Sequence, residues 1–131
     1  MKKIILSSLA IFAAWTAVDF LLHGVLLRGL YESTAYLWRP MPELKRGLMS
    51  AVTFLVALGF SVIWGRFVGV KTVANGLRFG LWWGFVAGVS MGYGSYAMMP
   101  IPHVLALSWF LGSVVEGVLA GVIAAQIDRG Q

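Results

Sequence analysis

Residues 76–96 read GLRFGLWWGFVAGVSMGYGSY, with glycine at every fourth position: Gly76, Gly80, Gly84, Gly88 and Gly92. Each interior glycine costs a water-exposed helix about 1 kcal/mol relative to alanine. Five in one helix therefore argue against a soluble setting. In lipid the missing side chains let a neighbouring backbone approach, and small-xxx-small spacing marks helix contact faces. Four residues advance an α-helix by about 400°, so the stripe drifts about 40° per step and winds round its helix. Ridges at this spacing favour crossings of negative sign, about −40° for GxxxG contacts.

A matching series, Ser113, Gly117, Gly121 and Ala125, occurs near the C-terminus. The expected contact joins Gly80, Gly84, Gly88 and Gly92 to Ser113, Gly117 and Gly121. In the alternative arrangement the stripe faces another subunit, in a homo-oligomer or a larger membrane complex.

Composition sets the medium. Of 131 residues, 60% are hydrophobic and 11% charged, whereas soluble domains carry about 25% charged residues. A membrane-spanning helix needs about 20 apolar residues. Four such runs, at about 4–27, 48–67, 77–98 and 103–127, use nearly the whole chain and leave an interfacial loop at 28–47. The runs are long and do not alternate, which excludes a transmembrane barrel. The expected fold is an all-α integral membrane protein, a bundle of four transmembrane helices forming a single domain over 1–131.

The opening Lys2-Lys3 and apolar Ile4-Ile5-Leu6 have the flavour of a signal peptide. The stretch before the small residues Ser8-Leu9-Ala10 is too short for one, so it reads as the start of span one. The loop holds Tyr31, Tyr36 and Trp38 among Arg28, Glu32, Arg39 and Glu43, a mixture suited to the headgroup layer. Pro42-Glu43 reads as a helix start and Asn75-Gly76 as a turn. Ser50, Thr53 and Ser61 are small enough to bond their own helix backbone.

Tyr36-x-x-x-Pro40-x-Pro42 returns as Tyr96-x-x-x-Pro100-x-Pro102. The echo raises a pair of tandem helical hairpins with parallel repeats, with coincidence as the alternative.

The net charge of +5 reads as membrane-flanking charge, not as a nucleic-acid surface, because the basic residues lie in the gaps between apolar runs. Six of the ten Lys and Arg residues lie on the side of the N-terminus, the second loop and the C-terminus. Both termini are therefore expected in the cytoplasm of a bacterial-type inner membrane.

Chemistry, if any, belongs to the few ionisable residues inside the runs. Asp19 and His23 stand four apart on one helical face, and Glu116 lies near the middle of span four. An ionised residue at the centre of a span costs about 2.5–3.5 kcal/mol, so such groups avoid lipid and tend to mark pathways or ligand sites. If span four runs back from the proline turns, Glu116 and Asp19 reach similar depth and His103 lies near the surface of His23.

Three expectations compete. Asp19, His23 and Glu116 form a proton or cation relay in a small transporter or channel. Or His23, His103, Asp19 and Glu116 hold a divalent metal, although the Glu-x-x-His pairs of ferritin-like sites are missing. Or the polar groups are interhelical glue, worth about 0.6 kcal/mol on average. A non-catalytic accessory subunit docked through its glycine faces is the alternative to transport. No cysteine is present and no nucleophile elbow, Walker loop or dinucleotide fingerprint occurs. An enzyme is therefore not expected, nor a cofactor, nor any partner beyond the lipid bilayer and other membrane subunits.

Overall fold

A chain so poor in polar side chains has to satisfy its backbone amides within itself, and it does so with helices. A computed structural model describes residues 1–129, and among them there is no strand. Helix α1 (Lys2–Leu21) runs into a π turn at Leu22–Leu26. A short α2 (Arg28–Ser33) and 3-10 turns at Ala35–Leu37 and Met41–Glu43 follow. Helix α3 spans Arg46–Phe67. Helix α4 (Val73–Gly88), a second π turn (Val89–Tyr93) and α5 (Gly94–Met98) form one course, and α6 spans His103–Asp128.

Three segments are long and apolar enough to cross a membrane: Lys2–Leu26, Arg46–Phe67 and His103–Asp128. The Val73–Met98 course contains as many residues as α6 but is not among the three. Its glycines, Arg78 and its Trp and Tyr residues dilute its hydropathy.

Small polar side chains are buried beside the core, and many large apolar ones lie outside. Ser7, Ser8 and Ser61 are buried, and Ser8 and Ser61 donate to the carbonyls of Ile4 and Ala57 in their own helices. Phe20, Leu55 and Trp82 are more than 60% exposed, an arrangement consistent with lipid contact.

Helix α1 packs against both α3 and α6, and α4 packs along α6. Against α6 the backbones of α4 and the second π turn come as close as glycine permits. A Cβ on Gly76, Gly80, Gly84, Gly88 or Gly92 would meet the carbonyl oxygen of Gly121, Gly117, Ser113, Phe110 or Ala106 in turn, at 2.8 Å or less. All five glycines are buried, so the stripe is used within the chain. Rings from α3 and α4 close the end of the bundle near the N-terminus, with Phe60 centred 4.8 Å from Phe79 and 5.2 Å from Trp83. Ile11, Trp15, Ala57, Phe60, Trp64 and three alanines of α6 complete that core.

At the opposite end Leu27, Ile101, Leu105, Ala106 and Trp109 form a second core, covered by Leu30, Tyr31, Leu37 and Trp38. The 28–47 loop is thus partly folded over the bundle.

Local signals were overridden in three places. Pro42-Glu43 lies in a 3-10 turn and α3 starts at Arg46, because Leu44 and Lys45 leave helical backbone angles. Asn75-Gly76 lies in the first turn of α4 and is not a turn between helices. Thr72 caps that helix by accepting from the Asn75 amide at 3.2 Å, and the Asn75 side chain donates to Val70 O. Tyr36 lies in a 3-10 turn but Tyr96 lies inside α5, and Pro42 lies in a 3-10 turn but Pro102 caps α6 directly, so the two tyrosine–proline motifs differ in local structure.

Candidate functional site

A cavity of about 120 Å³ opens between α1 and the second π turn, over α6; its wall includes Asp19, His23, Met91, Trp109 and Glu116. Both π turns contribute, through Leu22 and His23 from one and Met91 from the other. Single π turns within helices recur at functional sites, since they displace side chains from the regular helical register. Here the Leu27 amide reaches back five residues to Leu22 O at 2.8 Å. Gly112 makes room for Leu22, whose Cδ2 would lie 2.5 Å from a Cβ there. At the inner end the Trp15 indole donates to Glu116 O at 2.8 Å and ties α1 to α6.

One hydrogen-bonded chain runs along the cavity. The Trp109 indole can only donate, and it donates to Tyr31 Oη at 2.7 Å. Tyr31 in turn lies 2.5 Å from His23 Nδ1. The Trp109 and Tyr31 protons each have an acceptor when the tyrosine hydroxyl donates to Nδ1, which leaves the ring proton on Nε2. Nε2 lies 3.6 Å from Asp19 Oδ1, too long for a hydrogen bond but within ion-pair reach once the imidazole is charged. Trp38 packs edge-on to Tyr31 and tilted against Trp109, and its indole is held by Thr34.

Glu116 is placed differently. Its Oε1 is buried and has no hydrogen-bond partner in the structure. A bare buried acceptor costs about 1–3 kcal/mol, and a proton, a cation or a water in the cavity relieves that cost. The volume has room for several waters, for which about 10–15 Å³ each suffices.

The structure does not show Asp19, His23 and Glu116 as a buried cluster. Asp19 and His23 are 41% and 38% exposed, because the cavity is open along the flank of the bundle. His103 is elsewhere: it packs against Tyr93 and Tyr96 at the start of α6, with Nε2 3.3 Å from Tyr93 Oη. Among the described residues no three His, Asp or Glu side chains are set to hold a metal ion. The four-residue metal set of the sequence reading is therefore not assembled. Helical spacing separates His103, ten residues beyond Tyr93, from the cavity that α6 enters only at Trp109.

Tyr31 and Trp109 were not legible as site residues. Tyr31 reads as a headgroup aromatic, and only the π turn that precedes α2 carries it to His23. No family model matches the chain, and it has no significant similarity to a curated protein or a solved structure.

Proposed function

We propose that the chain is a four-span bundle, with Val73–Met98 as its third span, that moves protons, or a small solute coupled to them, by way of Asp19, His23 and Glu116. The observation carrying this function is the unpartnered Glu116 carboxyl oxygen in a cavity shared with a second carboxyl and an imidazole. Glu116 is near the middle of α6, the depth at which a proton or cation has to pause between the two sides. His23 and Tyr31 provide polar stepping points from there toward the 28–47 loop. In the other direction Ile11, Trp15, Phe60 and Ala120 form an apolar plug.

Transfer past this plug requires the helices to shift. The two π turns beside the cavity are where the regular helical hydrogen bonding is already interrupted. With both termini in the cytoplasm, the cavity faces the outer side. A docking role through the glycine stripe is weakened, since α6 already occupies that stripe.

The test is proton uptake into proteoliposomes driven by a potassium diffusion potential and followed with a pH-sensitive dye. Wild-type protein should carry flux, Asp19→Asn and Glu116→Gln should each cut it at least about tenfold, and Trp82→Phe on the lipid-facing side should not. No flux from the wild type, or equal flux from folded carboxamide variants, would discard the proposal.

A further inference from the structure

At the opposite end of the bundle the N-terminus, the end of α3, the α3–α4 connection and the end of α6 enclose a larger groove of about 590 Å³. Its lining includes Met1, Lys3, Arg66, Lys71, Thr72 and Asp128. Three basic side chains and one carboxylate thus line the same groove. One oxygen of that carboxylate is occupied, since Asp128 Oδ2 accepts from the Trp64 indole at 2.7 Å. Lys3 reaches the Asp128 backbone carbonyl instead, at 3.3 Å. Among the described residues the ion pairs are Asp19–His23 and Arg28–Glu32, neither of which involves a groove cation.

The groove is built, not merely a spray of surface lysines. The Lys71 ammonium donates to the carbonyls of Trp64 and Val68, capping the end of α3, and lies 5.0 Å from the centre of the Trp64 ring. Burial lowers Lys71 from the ordinary lysine value, against the opposing pull of Asp128; an anion in the groove would favour its charged form. Thr72 Oγ1 already accepts from the Asn75 amide, so its own proton is available to donate. Thr72 is also the N-cap of the sixteen-residue α4, whose N-terminal dipole favours negative charge. The walls are apolar at Ile4 and Val70, and Ile5 and Phe67, 54% and 79% exposed, continue the surface outward.

We propose that this groove binds the phosphate of an anionic phospholipid, with Lys3, Arg66, Lys71 and Thr72 around the phosphate and the acyl chains along the α1–α3 seam. A single inorganic phosphate has no use for the volume or the apolar walls. This site is independent of the cavity at Glu116 and stands whether or not that cavity carries protons.

The experiment is native mass spectrometry of the full chain released from detergent containing phosphatidylglycerol or phosphatidylcholine, with circular dichroism to confirm helicity. One retained phosphatidylglycerol per chain is expected, with little phosphatidylcholine. Each removed cation should cost about fivefold in affinity, so Lys3→Gln with Arg66→Gln should cost about twenty-five-fold. Lys2→Gln with Arg78→Gln removes the same charge from the same side but outside the groove, and should cost little. Gly69→Glu is a second variant: nothing lies within 4 Å of a Cβ there, so the new carboxylate should abolish retention without disturbing the helices. Equal losses in the two double variants, equal retention of both lipids, or unchanged retention in Gly69→Glu would overturn the proposal. So would stabilisation by inorganic phosphate that depends on Lys3 and Arg66 without any preference for phosphatidylglycerol.

Discussion

Replacing Gly80 by alanine tests the packing on which the bundle depends. A Cβ there would lie 2.1 Å from the carbonyl oxygen of Gly117, and since real Cβ atoms keep at least 3.0 Å, α4 has to retreat by about 0.9 Å. The obstacle is backbone in the middle of a long helix and cannot swing aside. A gap of about 0.5–1 Å forfeits about a quarter to a half of each dispersion contact, and neighbouring glycine contacts lose theirs in the same movement. Overpacking costs typically about 1–3 kcal/mol, and the expected loss is the upper end, about 3 kcal/mol. Gly59→Ala is the matched control, the same change inside α3 with nothing within 4 Å of the new Cβ. It should be neutral or stabilising by up to about 1 kcal/mol.

The assay is SDS titration of the purified protein in mild detergent, followed by circular dichroism. A Cβ on Gly117 would meet Gly80 O at 2.2 Å, so one retreat accommodates both changes. The Gly80→Ala/Gly117→Ala pair should therefore cost less than the sum of its parts. Equal midpoints for Gly80→Ala and Gly59→Ala would refute the close-packing account.

Tyr31→Phe leaves the Trp109 indole and His23 Nδ1 without their shared partner. It should lower the SDS midpoint by an amount equivalent to about 1–3 kcal/mol, whereas Tyr36→Phe, at a 76% exposed side chain, should be close to neutral. Burial, with the charge of Asp19 adding to it against the Trp109 hydrogen bond, pushes the Tyr31 phenol from 10.0 up to about 12. Its contribution to stability is then fully present below about pH 10 and lost as pH rises toward about 12. The gap in midpoint between wild type and Tyr31→Phe should shrink across that window; a gap that widens contradicts the assignment. Gly112→Ala meets only the flexible end of Leu22, at 2.5 Å, and in the same titration should cost well under the loss from Gly80→Ala. Trp64→Phe removes the bond to Asp128 Oδ2 and should cost about 1.5–3 kcal/mol, as hydrogen bonds to charged groups do.

Several features of the site could be read along the chain because they depend on neighbours in sequence. The four-residue spacing of Asp19 and His23 is enough to place them on one helical face, and they lie 3.6 Å apart. Glu116 stands out in its run by chemistry alone. Tyr31 is different: its role depends on the Leu22–Leu26 π turn, which leaves no periodic trace. Trp109 is 78 residues from the hydroxyl it bonds, and no local pattern links the two. The misread turn at Asn75-Gly76 has a comparable cause. The dipeptide favours a turn in isolation, but the Thr72 cap and the close approach of Gly76 to Gly121 fix it in a helix.

Helical structure, the apolar medium and the four-residue period of small side chains were determined by sequence alone, because each follows from residues within a few turns of one another. The identity of the surface meeting the glycine stripe was decided only in three dimensions, where carbonyls of α6 fill the space a Cβ would need. The same is true of the cavity that joins Asp19 to Glu116 and excludes His103, and of the groove that gathers Lys3, Arg66 and Lys71 from two helices and a connection. Such sites depend on which helices pack together and in which register, a choice set by backbone contacts between residues far apart in the chain.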